Sequence, residues 1–220
     1  MNKVPVRTAL LAGASGLVGK QVLQQLLASD HYSKVTALVR KPLTVKHARL
    51  TEQIIDFESL AQQRLPKVDD AFCCLGTTIK VAGSKDAFRR VDYGYVLAFA
   101  ASARQAGAEQ FLLVSAMGAN SKSGVFYSRV KGEVEAAVSQ LGYASVSIIR
   151  PSMLTGDRGE HRLGERLVLA ISGPISALIP ARYRPISDVA VAKAMIDAAV
   201  RAGAGIEVIE SDRLQKYETR

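Results

Sequence analysis

The stretch Leu10-Leu11-Ala12-Gly13-Ala14-Ser15-Gly16-Leu17-Val18-Gly19 limits this chain more than any other. An apolar run ends in three glycines spaced by three, and Lys20-Gln21-Val22-Leu23-Gln24-Gln25-Leu26-Leu27 follows with helical periodicity. In the order strand, glycine turn, helix, this is the context in which such glycines bind a dinucleotide. Gly13 permits the sharp turn, Gly16 lets the backbone come close to a pyrophosphate, and Gly19 lets the helix pack tightly on the strand. The helix N-terminus presents unpaired N–H groups and a positive dipole end to phosphates.

The rest of the chain repeats the alternation. Strands fit Thr8 to Ala12, Lys34 to Val39, Gln53 to Asp56, Ala71 to Leu75, Gln110 to Ser115, Ser145 to Ile149 and Ile206 to Ile209. Helices fit Gly16 to Ala28, Asp86 to Gln105, Val125 to Leu141, Glu165 to Ile171 and Asp188 to Val200. Gly107 and Gly142 stand where helix C-caps belong. Apolar strands alternating with helices predict an α/β fold: a Rossmann-type, doubly wound, mostly parallel sheet with helices on both faces. At 220 residues one domain is expected, with a core over residues 1–151 and a small C-terminal elaboration over 152–220.

Composition narrows the partners. No apolar run reaches the length of a membrane span, and the first residues lack the basic-then-apolar leader of a secreted protein. The two cysteines, Cys73 and Cys74, are adjacent and form no disulfide framework, which predicts core thiols in a reduced, cytoplasmic protein. No Cys/His spacing suits a metal. The net charge of +9 suits anionic partners, but the cations are dispersed and not interleaved with aromatics, so a nucleic-acid surface is not expected.

Near the end of the second strand, an acidic residue would hold an NAD ribose. Here Val39-Arg40-Lys41 supplies cations instead, and a guanidinium chelates a 2′-phosphate, so NADP(H) is favoured over NAD. Asp56-Phe57 stands where an adenine would rest, with packing of Phe57 on the core as the alternative. Leu75-Gly76-Thr77-Thr78 follows the fourth strand, where a glycine permits close cofactor approach. Tyr127 and Lys131 lie four residues apart, on one face of a helix. An ammonium beside a phenol favours its anionic form and equips it for acid–base work near neutral pH. Ser115 ends the preceding strand and offers a hydroxyl to a substrate oxygen.

These stretches, together with Cys73-Cys74-Leu75-Gly76-Thr77-Thr78, Val91-Asp92-Tyr93-Gly94-Tyr95-Val96-Leu97, Tyr127-Ser128-Arg129-Val130-Lys131-Gly132-Glu133-Val134-Glu135 and Arg150-Pro151, resemble a short-chain dehydrogenase/reductase of the atypical kind. They are more closely similar to the Tat-interacting protein family of NADPH-binding oxidoreductases, over roughly residues 8 to 165. The resemblance implies Tyr127 as proton donor and acceptor, with Lys131 holding the nicotinamide ribose. It implies Ser15, Gly16, Leu17 and Val18 at the pyrophosphate, and Arg40 with Lys41 at the 2′-phosphate. Leu75 and Gly76 would run along the cofactor. Leu154 and Arg162 would close over the nicotinamide, with Arg158 as the alternative cation. One departure is Met117, which stands where many extended members carry the catalytic hydroxyl. The expected activity is NADPH-dependent reduction of a small carbonyl substrate. The alternative is an NADPH-binding regulatory protein whose conformation a protein partner reads. Leu169, Ile171, Ile175, Leu178 and Ile179 make the late segment apolar, for a substrate pocket, ordinary core or a homodimer contact.

Overall fold

A computed structural model describes residues 6–156 and 179–218. Along the chain run β1 (Arg7–Ala12), α1 (Leu17–Ala28), β2 (Tyr32–Val39), β3 (Leu50–Ile54) and β4 (Asp70–Cys73). Next come α2 (Ile79–Ala82), α3 (Lys85–Arg89), α4 (Val96–Gln105), β5 (Gln110–Val114), α5 (Phe126–Ser139) and β6 (Ser145–Arg150). The final elements are β7 (Leu154–Thr155), β8 (Ile186–Ser187), α6 (Asp188–Arg201), β9 (Gly205–Glu210) and α7 (Ser211–Leu214).

Seven parallel strands form one sheet in the order β3-β2-β1-β4-β5-β6-β9, and β7 and β8 make a separate two-stranded pair. The period of two along a strand sends alternate side chains to opposite faces. Ala9 and Leu11 of β1 enter one core cluster, with Val22 and Leu26 of α1 and Val191 and Met195 of α6. Leu10 and Ala12 enter the other, with Phe99 of α4 and Val134 and Val138 of α5. Burial on both faces explains why these strands read as unbroken apolar runs. The expected doubly wound architecture is therefore present.

The chain winds outward from β1 through β2 to β3, then crosses back to put β4 on the other side of β1. That reversal opens a crevice beyond the carboxyl ends of β1 and β4, where ligands of such sheets bind. Gly13 lies at its base with φ of +87°, and a Cβ there would come 2.5 Å from the Cys74 backbone. Only glycine lets the two strand ends approach so closely.

Two elements depart most from expectation. The third strand spans Leu50–Ile54 rather than Gln53 to Asp56, because β3 is an edge strand whose mixed exposure hides its register. The helix expected over Asp86 to Gln105 is α3 and α4 joined by a π-helical turn, Arg90–Tyr95. The region beyond residue 151 also contributes to the core and the sheet. Its α6 packs beside α1 in the first core cluster, and β9 completes the main sheet against β6. The helix expected over Glu165 to Ile171 lies outside the described residues.

Candidate cofactor and active site

The N-terminus of α1 opens the site. Its N-cap is Gly16, without a capping side chain, and its first turn carries no acidic residue. A helix leaves its first N–H groups without intrahelical partners, so those of Leu17 and Val18, which line the crevice, are free to meet an anion. Gly19 itself does not line the crevice. A Cβ on Gly19 would sit 2.0 Å from the Gly13 carbonyl oxygen, so this glycine packs the helix onto the turn.

Two cavities of about 410 Å³ each share the walls Ser15, Gly16, Cys74, Leu75, Gly76 and Thr77. One extends past Gly13 to Arg40, Phe57, Val91 and Tyr95. The Phe57 and Tyr95 rings stack there with centroids 5.7 Å apart, and Arg40 lies exposed at the rim. The other extends past Leu17 and Val18 to Ser115, Tyr127, Lys131 and Leu154. Together they form one continuous cleft, with the Arg40 cation and two aromatic rings at one end and a titratable cluster at the other.

The centre of that cluster is a buried ion pair. Lys131 Nζ lies 2.7 Å from Asp92 Oδ1, with side-chain exposures of 6% and 0%. The other Asp92 oxygen accepts from the Thr77 backbone N–H at 2.8 Å. Burial by itself would lower the Lys131 pKa, but the Asp92 carboxylate and the nearby Tyr127 hold it above its ordinary value. Lys131 is thus a fixed cation one helical turn from Tyr127. The Tyr127 ring is half-buried against Phe88, 5.4 Å between centroids. A Cβ on Gly76 would come 3.4 Å from Asp92 Oδ1 and 3.7 Å from Lys131 Nζ, so the loop after β4 lies directly on the pair.

Ser115 reaches the same cavity, but its proton is committed. Its hydroxyl donates to Glu135 Oε1, a carboxylate held in turn by Arg150. The Ser115 hydroxyl, which the sequence offers to a substrate oxygen, thus has an acceptor within the protein, and a serine has a single proton to give.

The remaining expected residues divide by position. Lys41 is exposed and lines neither cavity. Asp56 is turned to structural use, its carboxylate accepting from the Glu58 N–H to start a 3-10 turn. Arg162, with its alternative Arg158, lies outside the described residues, as do Leu169, Ile171, Ile175 and Leu178.

Sequence reasoning passed over Asp92, Glu135, Tyr95 and Lys20. Asp92 and Glu135 did carry a signal. Asp92 interrupts the apolar stripe Phe88-Asp92-Val96, Glu135 lies buried beside the stripe Val130-Val134-Val138, and a carboxylate on a buried face requires a cation. Lys20 is an exposed cation on the wall of the second cavity.

This geometry agrees with comparison to known proteins. A family model described as NAD(P)H-binding matches residues 13–199. The chain belongs to the NAD(P)H-binding family. It is 37% identical to protein HTATIP2 of Rattus norvegicus over 215 residues, 95% of this chain and 88% of the relative. It is 31% identical to the mitochondrial protein fmp52 of Aspergillus clavatus, over 92% of this chain and 88% of that one. Among solved structures it resembles the Bordetella bronchiseptica enzyme WbmH in complex with NAD+, with a TM-score of 0.70 at 13% identity, covering 93% of this chain and 76% of WbmH. The relatives correct one expectation. Fungal members are named mitochondrial proteins, so the cytoplasmic placement inferred from two reduced cysteines does not stand. The cysteines are free, and burial raises the thiol of Cys73 to about 12, which marks core packing and not a compartment. No helix among the described residues is long and apolar enough to cross a membrane.

Proposed function

We propose that this protein is an NADP(H)-dependent oxidoreductase of the short-chain dehydrogenase/reductase type acting on a small carbonyl substrate. The observation that carries the reading is the buried Lys131 cation beside Tyr127, at the far end of a cleft that begins at an uncapped helix N-terminus. When bound, the cofactor supplies or takes a hydride. The chain's own residues do the rest. The free N–H groups of α1 hold the pyrophosphate, while Phe57 and Tyr95 flank the adenine end. Arg40 pairs with the 2′-phosphate, with Lys41 adding charge near the rim. Tyr127 holds the proton exchanged with the substrate oxygen. The Lys131 charge stabilises the negative charge that develops on the phenol oxygen, and it donates to the nicotinamide ribose. Asp92 keeps that charge in place. Leu154 and Val18 exclude water from the reacting end.

The test is a panel of carbonyl compounds with NADPH. Tyr127→Phe lowers turnover at least ~100-fold, in line with loss of a general acid, and leaves NADPH affinity within about threefold. A fully active Tyr127→Phe protein overturns the reading. Cofactor choice is tested separately: Arg40→Ala weakens NADPH about tenfold and leaves NADH unchanged, and equal losses for both cofactors reject the NADP(H) preference.

The alternative is a regulatory NADPH-binding protein read by a protein partner. Two features favour it: Met117 at the usual hydroxyl position, and a Ser115 proton that points away from any carbonyl. Pull-downs that capture a partner only with NADPH, from a protein that reduces nothing in the panel, would select it.

A further inference from the structure

Ser115 is held more tightly than a hydroxyl waiting for a carbonyl would need to be. Its backbone N–H donates to the Ile149 carbonyl at 2.8 Å, which sets the residue at the end of β5. Its side chain donates to Glu135 Oε1. Arg150 grips the same carboxylate with a fork, Nε to Oε1 at 3.0 Å and Nη2 to Oε2 at 2.5 Å, and reaches Glu210 with Nη1 at 2.8 Å. Glu135 is buried, at 5% exposure. A carboxylate that takes both arms of a guanidinium fork offers only lone pairs to its neighbours. The Ser115 proton must therefore lie between Oγ and Glu135, which leaves only the oxygen's lone pairs to face the cavity.

A carbonyl oxygen has no proton to give, so set against Ser115 it would place one acceptor against another. A hydroxyl fits. Tyr127 serves the reacting oxygen, so the hydroxyl taken up by Ser115 belongs to a neighbouring atom of the substrate. We propose that Glu135 is a positioning residue that makes Ser115 a hydrogen-bond acceptor, and that the substrate is an α-hydroxycarbonyl compound in the reducing direction or a vicinal diol in the oxidising one. This rests on the oxidoreductase reading above.

The experiment uses the full chain with NADPH and two probe pairs: acetophenone with 2-hydroxyacetophenone, and 2-butanone with 3-hydroxy-2-butanone. Within each pair the ratio of kcat/KM values, hydroxyketone over ketone, is compared between variants, so that the intrinsic reactivity of the probes cancels. The wild-type ratio exceeds that of Ser115→Ala about tenfold, the worth of one good hydrogen bond. Glu135→Gln, whose neutral amide can donate and so frees the serine proton, lowers the ratio several-fold and moves kcat/KM for the plain ketones upward relative to the hydroxyketones. A merely structural Glu135 would lower all probes alike. If Glu135→Gln does not fold, the Ser115→Ala ratio decides. Equal ratios across the folded proteins, with turnover intact, overturn the acceptor role and leave the oxidoreductase reading standing. If wild type reduces none of the probes, that reading fails, and calorimetric titration of the NADP+-saturated protein with each pair decides the acceptor role alone. A preference for the hydroxyketone that Ser115→Ala abolishes supports it; equal binding, or no binding, overturns it.

Discussion

Two buried aspartates sit at opposite ends of the parallel sheet, and their partners differ in kind. Asp70 opens β4 at the amino ends of the strands. It takes two bonds from the Arg7 guanidinium, at 2.8 and 2.6 Å, and one from the Tyr32 hydroxyl at 2.9 Å. Asp92 lies beyond the carboxyl ends and takes the Lys131 ammonium and the Thr77 N–H. Both carboxylates are fully buried. Asp70 meets a planar fork that fills its lone pairs and leaves nothing for a ligand. Asp92 meets a point charge with donors to spare, and that charge forms part of a cavity wall. The same pairing of charges therefore stitches three strands together at one end and poises a cation for chemistry at the other.

Removing each aspartate tests that contrast. Asp70→Ala leaves the Arg7 charge and the Tyr32 hydroxyl without their shared acceptor, and is expected to cost about 3–5 kcal/mol in urea unfolding. The protein that remains folded should bind NADPH as wild type does. A loss under about 1 kcal/mol would mean that Asp70 is not the structural anchor it resembles. Asp92→Asn is gentler on the fold, since the amide oxygen still accepts from Thr77, and about 2 kcal/mol is expected. Its larger effect is on the site: Lys131, buried without a counter-charge, tends to lose its proton, and NADPH affinity and turnover fall about tenfold or more. If Asp92→Asn changes stability alone, the two ends of the sheet do not differ as described.

The sheet was legible because residues buried on both faces leave unbroken apolar runs, and the β1 to α1 turn because few residues fit its backbone. What lies at an edge or in a pair was harder to read. β3 has a neighbour on one side only, so its true members Leu50–Ile54 show no clean alternation; Ile54 is exposed, while Ile55, past the strand end, is buried. The helix carrying Asp92 was legible as a helix, but not the π-helical turn within it, because one widened turn shifts the apolar stripe by a single residue. Two-residue strands such as β7 and β8 leave no pattern at all. In the site, Tyr127 and Lys131 were found because one helix carries both. Asp92 and Glu135 showed only as carboxylates beside apolar positions, and packing was needed to reveal their partners Lys131 and Arg150, since a pair distant in sequence has no periodicity.

Alkaline titration separates the two ends more finely. Tyr32 is buried beside Asp70, and burial first, then the charge and hydrogen bond of that carboxylate, raise its pKa far above the ordinary 10.0. In the unfolded chain the same phenol loses its proton near 10. The stabilisation tied to the Tyr32 hydroxyl is therefore fully present below pH 10 and is lost as pH rises from there toward the folded value, because the unfolded state then binds fewer protons than the folded one. Tyr32→Phe cannot titrate. It should be about 1 kcal/mol less stable than wild type at pH 7, where the hydrogen bond to Asp70 is missing. Above pH 10 the wild-type curve should fall more steeply than that of the variant, by up to about 1.4 kcal/mol per pH unit, so the two converge near pH 11. Lys131 is also raised, from an ordinary 10.5, so its own contribution is lost above that value in both proteins alike and cancels in the difference. Unfolding curves in urea from pH 7 to 11 read the result directly. A stability gap that stays constant over that range would show that the Tyr32 hydroxyl is not buried against a charged Asp70, and would remove the distinction between a closed pair at the amino ends and an open one at the carboxyl ends.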